Sequence, residues 1–256
     1  MAAEKKSINS VIKSLKVLEC FSREVKELKL IEISKIMGIP KSTASNLIYT
    51  LVDMGYLEQN GENGKFRLGI KLFMLGKVYE YHFNLIDIAR PYMEELRDRF
   101  NEAVLLSAPY ESSGVWLEKI EGERTLGMNS QEGKLLPLYC TASGKLFLSA
   151  MTIEKLKRTL GDMELVKRAD NTITDPVLLI KELDGIRERG YSVAADENEI
   201  GITSIAAPIY NYNNELIASI SLAGPTARLP EKLRQEIIMK LVDTAEIISK
   251  KSGCSK

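Results

Sequence analysis

Residues 30–68 read LIEISKIMGIPKSTASNLIYTLVDMGYLEQNGENGKFRL, and this stretch decides the fold of the N-terminal part of the chain. Leu30, Ile31, Ile33, Ile36 and Met37 recur at helical spacing, which predicts a short helix with one apolar face. Gly38 supplies a permissive backbone for a turn, and Pro40 presets the first residue of a second helix. In that helix Ala44, Leu47, Ile48, Leu51 and Val52 should face inward. The opposite face offers Ser42, Ser45, Asn46 and Tyr49, with Thr43 beside them and Lys41 at the leading end. Short hydroxyls, an amide and a phenol suit the reading of base edges and the gripping of phosphates. The following residues 55–68 alternate around Asn63-Gly64, a strong hairpin signal, with Lys65 and Arg67 just after the turn. The competing reading is a helical hairpin and β-ribbon with a merely solvated polar face. The order of helix, glycine turn, helix and basic hairpin favours a winged helix-turn-helix, with DNA as the first expected partner.

Composition sets the outer bounds. At 256 residues the chain holds one large domain or two modest ones. No run approaches the roughly 18 apolar residues of a membrane span, and MAAEKKS lacks the apolar core of a signal peptide. Cys20, Cys140 and Cys254 are scattered, and with a single histidine they make no zinc pattern. Reduced thiols in a cytoplasmic protein with no metal, cofactor or membrane partner are expected. The net charge of zero conceals an asymmetry. Residues 1–84 carry 13 Lys/Arg against 9 Asp/Glu, so the remainder is net negative. Lys5, Lys6, Lys13 and Lys16 place part of that excess on the arm and first helix, within reach of phosphates.

Further along, residues 8–21 read as an amphipathic helix through Val11, Ile12, Leu15, Leu18 and Phe21, completing a three-helix core. Residues 70–83 and 85–100 read as helices, the second kinked or divided at Pro91. The expected organisation is a DNA-binding domain over 1–69, a linker helix over 70–84 and a second domain over 85–256. In that domain residues 103–109 and 114–120 form a hairpin, and 124–128 a third strand. Thr141 caps a helix, and Thr174-Asp175-Pro176 opens another that ends at Gly190. Two strands joined at Asn213-Asn214 and a final helix over about 231–250 complete the chain. Strands in hairpins, instead of alternating βαβ units, argue for an antiparallel sheet with helices packed on it.

Three features of this second domain suit a small-molecule pocket. The turn Thr141-Ala142-Ser143-Gly144 leads into a helix whose free N–H groups favour an anion, though an ordinary capped helix start would look the same. On strand 217–223, alternation gathers Ile217, Ser219, Ser221 and Ala223 on one face, small enough to line a cavity or to pack under a helix. The acidic loop 196–201, followed by Ser204, sits where it could rim that pocket. Catalysis has little support. His82, the only histidine, falls in the connector, so no Ser–His–Asp set is available.

These strings together resemble the IclR family of bacterial transcription regulators over nearly the whole chain. The resemblance rests on IEISKIMGIPKSTASNLIYTLVDMGYLEQ with its wing, on LPLYCTASGKLFLSAM, and on the segment from IRERGYSVAADENEIGITSIAAPIY through ISLAGPTARL. It implies an α+β protein: a winged helix-turn-helix, a linker helix, and a GAF-like antiparallel sheet packed with helices. It also implies homodimers through the N-terminal half that pair into homotetramers, a palindromic operator on double-stranded DNA, and a small organic-acid effector. Carried over residue by residue, the effector-binding amides match Ala142 and Ser143, with Gly144 next to them. A strand serine matches Ser221, and the neighbouring inward position is Ala223. Ser204 stands where cysteine is common, and Ala194 where some members have aspartate, with Asp196 following closely. Leu106, Met128 and Tyr139 are the expected walls. With fewer polar groups than the family pattern, the pocket suggests an effector larger or less hydroxylated than a two- or three-carbon acid.

The expected function is a DNA-binding repressor under effector control. Ser42, Thr43, Ser45, Asn46 and Tyr49 would enter the major groove, and Lys41, Lys65 and Arg67 would hold phosphates. The alternatives are a small-acid-processing enzyme with an appended winged helix, or an assembly module that binds protein.

Overall fold

The computed structural model describes residues 7–22, 24–82, 85–123 and 132–253. The chain divides into two compact units, Met1–Phe83 and Asn84–Lys256. The proposed strand over 124–128, the wall residue Met128, Cys254 and the lysines of the N-terminal arm lie outside the described residues.

The first unit contains α1 (Asn9–Leu18), α2 (Leu30–Met37), α3 (Lys41–Asp53), a two-stranded wing of β1 (Leu57–Gln59) and β2 (Phe66–Leu68), and α4 (Ile70–His82). Its core is built from Val17, Phe21, Leu28, Ile33, Ala44, Ile48, Leu51, Leu57 and Phe66. Two expected helix faces are corrected. Val11, Ile12 and Leu15 of α1 are exposed, so α1 joins the core through Val17 and the following Phe21. In α2, Ile31 and Ile36 are exposed while Ser34 is buried, its hydroxyl donating to the Ile39 carbonyl at 2.7 Å. Helical periodicity locates an apolar stripe but cannot say whether the core or another surface covers it. Gly38 ends α2 with φ +62, the left-handed C-cap that only glycine adopts without strain. Pro40 takes the cap position of α3, so the helix proper starts at Lys41.

The wing is antiparallel, pairing Leu57 with Leu68 and Gln59 with Phe66. Its tip runs through residues 60–65, longer than the two-residue turn that Asn63-Gly64 suggested. Asn60 and Asn63 both donate to the Glu27 carboxylate, at 3.2 and 3.0 Å, which holds that carboxyl below the usual range. Leu28 adds a bridge to Phe66, so the wing is anchored to the segment preceding α2.

The second unit begins with α5 (Leu85–Phe100), which runs through Pro91 without dividing. Its sheet is formed by β3 (Ala103–Tyr110), β4 (Ser113–Ile120), β5 (Leu135–Leu136), β6 (Ser192–Ala195), β7 (Ile202–Tyr210) and β8 (Leu216–Pro225). The order is β5-β4-β3-β8-β7-β6, antiparallel throughout. The helices are α6 (Ala142–Ser149), α7 (Ile153–Gly161), α8 (Pro176–Arg189) and α9 (Glu231–Lys251). Asp175 caps α8 by accepting from the Val177 N–H at 2.7 Å, and Gly190 closes it at φ +77. The strands β5 and β6 and the helix α7 had no separate signal: β5 has two residues, and β6 runs into the acidic loop.

Alternate residues of β7 and β8 are buried on both faces, so the sheet is a middle layer. Leu138, Leu146, Leu148, Leu179, Leu183 and Ile186 form the core beneath α6 and α8. The helices α5 and α9 pack on each other and on the sheet. The α6 backbone comes so close to the preceding segment that a Cβ at Gly144 would lie 2.5 Å from Leu138 Cα and from the Pro137 carbonyl oxygen. That contact sets how near the start of α6 sits to its neighbours. Gly144→Ala should therefore destabilise the protein by about 1–3 kcal/mol in urea unfolding, as overpacking does. Gly161→Ala, with open space around it at the end of α7, should be neutral or stabilising by about 0.4–1 kcal/mol.

Candidate functional site

Two surfaces carry chemistry, one in each unit. On α3, Lys41, Ser42, Asn46 and Tyr49 are exposed along one side, and Thr43 and Ser45 are half-buried at its flanks. Tyr49 rests edge-on against Phe66 of the wing, with ring centroids 5.8 Å apart, so its hydroxyl is carried on a fixed ring. Lys65 is half-buried at the wing tip. Arg67 is exposed and bonded to Glu58 at 2.9 Å, an ion pair that a phosphate would have to displace. Such exposed pairs contribute little, so the exchange costs little.

The second surface is a cavity where α6 begins. It is lined by Leu105, Trp116 and Leu136, by Cys140–Ser143, by Ala194, Asn198, Glu199 and Ile202, and by Ser204, Ser221 and Ala223. About 30 Å3 is open to the centres of water molecules, room for about two waters. Strand register explains the lining: Ala194 pairs with Ser204, Ser204 with Ala223, and Leu105 with Ser221, so these side chains share one sheet face. Thr141 caps α6 by accepting from the Gly144 N–H at 3.1 Å, and its carbonyl takes the Lys145 N–H. That leaves the N–H groups of Ala142 and Ser143 without partners among the described residues, at the positive end of the helix dipole. Ser143 and Ser221 are each 5 % exposed, and neither hydroxyl has a partner among the described residues.

Behind this cavity lies a buried ion pair. The Lys145 ammonium, 1 % exposed, donates to Glu197 Oε1 at 2.6 Å and to the Val193 carbonyl at 2.8 Å, with Glu182 3.5 Å away. Burial pushes the Glu197 carboxyl above its ordinary range against the opposing pull of Lys145. Asp196, in a left-handed conformation at φ +55, accepts from the Gly201 N–H at 2.5 Å and from the Thr226 hydroxyl at 3.2 Å. Thr172 donates to the Glu197 carbonyl at 2.6 Å. The loop from Asp196 to Gly201 is thus stapled across its ends and tethered from within. Cys140, facing the cavity, is 3.4 Å from Asn198 Oδ1, and burial raises its thiol to about 11.

This architecture has known counterparts. The family described as IclR helix-turn-helix domain matches residues 10–61, and that described as bacterial transcriptional regulator IclR C-terminal matches residues 78–250. The chain belongs to the IclR family. An IclR-family regulator of Escherichia coli, HTH-type transcriptional regulator KdgR, is 34 % identical over 96 % of this chain and 94 % of its own length. The crystal structure of Thermotoga maritima IclR shares 32 % identity and superimposes with a TM-score of 0.74, covering 96 % of this chain and all of that one. An IclR homologue from Microbacterium hydrocarbonoxydans, solved in complex with 4-hydroxybenzoate, shares 25 % identity at a TM-score of 0.84, over 95 % of this chain and 98 % of its own. This IclR-family chain is a DNA-binding transcriptional regulator.

Within the IclR-family chain, Ala142, Ser143, Ser204 and Ser221 come together around the cavity. The other expected effector contacts among the described residues do not line it. Leu106 is buried on the opposite sheet face, because it pairs with Ile220 while its neighbour Leu105 pairs with Ser221. Tyr139 turns away, donating its hydroxyl to the Val166 carbonyl at 2.8 Å. Gly144 is packed against the Leu138 backbone, and Asp196 is spent on closing its own loop. Sequence reasoning reached Thr141 through the turn and Asn198 and Glu199 through the rim loop, and missed Leu105, Trp116, Leu136, Cys140 and Ile202. Strand alternation could have indicated Leu105 only with the β3–β8 register in hand. The buried pair yields a test of how the site is held. Lys145→Met should cost about 3–5 kcal/mol in urea unfolding, because it leaves the Glu197 carboxylate buried without its counter-charge. Lys145→Met combined with Glu197→Leu should recover most of that loss.

Proposed function

We propose that this regulator is a cytoplasmic repressor that grips a palindromic operator as a dimer and releases it in response to a small organic acid. The observation that carries the effector reading is the start of α6. Two unpaired N–H groups and the buried hydroxyls of Ser143 and Ser221 converge there on one cavity. Donors without acceptors, at a positive helix end, call for a carboxylate. Leu105, Trp116, Leu136 and Ile202 then receive the carbon skeleton. An acid of more than a few carbons needs these walls to part, since the closed cavity is small. Binding fits the site better than catalysis, because Cys140 is held as a neutral thiol and is a poor nucleophile at neutral pH.

On the DNA side, Ser42, Asn46 and Tyr49 lead into the major groove with Thr43 and Ser45 flanking them. Lys41, Lys65 and Arg67 position the protein on phosphates. The exposed apolar side chains Val11, Ile12 and Leu15 of α1, with Phe73, Met74 and Val78 of α4, support self-association of the first unit. Two-fold symmetry then matches a palindrome, and α4 serves as the linker helix through which effector and operator affect each other's affinity by the same factor. Pairing of dimers into tetramers is part of the same proposal.

Two experiments test this reading. Asn46→Ala should relax discrimination at one operator position by about 1–3 kcal/mol, while Lys65→Ala should weaken all sequences alike and lower the salt slope by about 1. Gel-shift titrations over a salt series separate these effects, and unchanged sequence preference in Asn46→Ala removes that residue from base reading. A thermal-shift screen of the full chain against small carboxylic acids should show a concentration-dependent rise in Tm. Ser221→Ala should weaken the responding acid by about 1.5–3 kcal/mol, the loss of a hydrogen bond to a charged group.

A further inference from the structure

The charge inventory of the cavity restricts the acid it takes. Of the described residues lining it, Glu199 alone carries a formal charge. Its carboxylate has no hydrogen bond or ion pair among the described residues. The other charges nearby stand outside the lining. Lys145 and Glu197 neutralise each other behind the wall, 2.6 Å apart. The Arg168 guanidinium, which acts electrostatically on Cys140, bonds the Tyr139 hydroxyl at 3.3 Å and does not line the cavity. The site therefore offers free donors at the start of α6 and at Ser143 and Ser221, and a single free anionic acceptor at Glu199.

A ligand complementary to both must bring one anion and one donor. A carboxylate satisfies the α6 amides and serine hydroxyls, and a hydroxyl or ammonium elsewhere on the same molecule satisfies Glu199. A second carboxylate would instead meet the like charge of Glu199 at the wall of a mostly apolar cavity, where the two repel. The loop geometry makes this selection durable. Asp196 and Gly201 staple the ends of the loop, and Lys145 and Thr172 hold Glu197. Glu199 is therefore carried on a backbone frame that holds its Cα at the cavity wall.

We propose that Glu199 is a specificity-determining residue that selects monocarboxylates bearing a hydroxyl or ammonium group and rejects dicarboxylates. This rests on the organic-acid reading of the cavity and adds to it the class of acid.

The test uses the full chain and two matched ligand series, so that the size of the skeleton does not decide the outcome. One series is propanoate, 3-hydroxypropanoate and malonate; the other is benzoate, 4-hydroxybenzoate and terephthalate. Affinities are measured by calorimetry for the unmodified protein and for Glu199→Gln, a change on a side chain that makes no contact needed for folding. In whichever series binds, the hydroxy acid should bind at least about tenfold more tightly than the diacid. In Glu199→Gln that gap should shrink to about threefold or less, chiefly through tighter binding of the diacid. A diacid that binds the unmodified protein as tightly as the hydroxy acid overturns the proposal while leaving the organic-acid reading intact. So does a gap that Glu199→Gln leaves unchanged. If no carboxylic acid binds, in these series or in the thermal-shift screen, the organic-acid reading itself fails and this inference fails with it.

Discussion

The second unit is organised around the buried contact between Lys145 and Glu197. Lys145 stands in the first turn of α6, its ammonium reaches the Val193 carbonyl on β6, and its counter-ion is part of the acidic loop. One side chain thus ties together a helix start, a strand and a loop, each of which supplies a wall of the cavity. A buried ion pair is weak evidence for added stability, since desolvation offsets much of the attraction. Its value lies in geometry, because an ammonium with three nearby oxygen acceptors tolerates few alternative arrangements. Gly144 complements it from the other side, allowing α6 to settle onto the Leu138 backbone. Helix start, strand and loop therefore keep their spacing with nothing bound, and the donors aimed into the cavity need no ligand to orient them.

The first unit follows a different logic. Its core is small, and much of its apolar surface points outward from α1 and α4. The wing is held by polar contacts, with Asn60 and Asn63 clasping Glu27, and by Leu28 bridging Phe66. Tyr49 links the exposed polar face of α3 to the wing through Phe66, so helix and wing are coupled.

Most of this architecture could be read from the residues because it depends on local rules. Gly38, the cap at Asp175, the end at Gly190 and the alternation along β8 each act within a few residues, and each is found where local chemistry puts it. What escaped depends on distant pairing. Whether Leu105 or Leu106 meets a ligand is decided by the register of β3 on β8, a strand over a hundred residues away. The exposed stripe of α1 looks identical in sequence to a buried one. Asp196 was a plausible ligand contact by charge, yet its left-handed backbone turns the carboxylate onto Gly201 and Thr226. Asn198 and Glu199, two and three residues further on, reach the cavity instead.

That stapled loop has an evolutionary consequence. Its ends are closed by Asp196 and Gly201 and its interior is tethered by Glu197, while Asn198 and Glu199 line the cavity, Asn198 with only a weak contact to the Cys140 thiol. Substitutions at these two positions alter what the cavity meets without loosening the frame that presents them. If the cavity takes the proposed effector, a lineage can exchange one signal for another by drift at two codons while the fold stays the same.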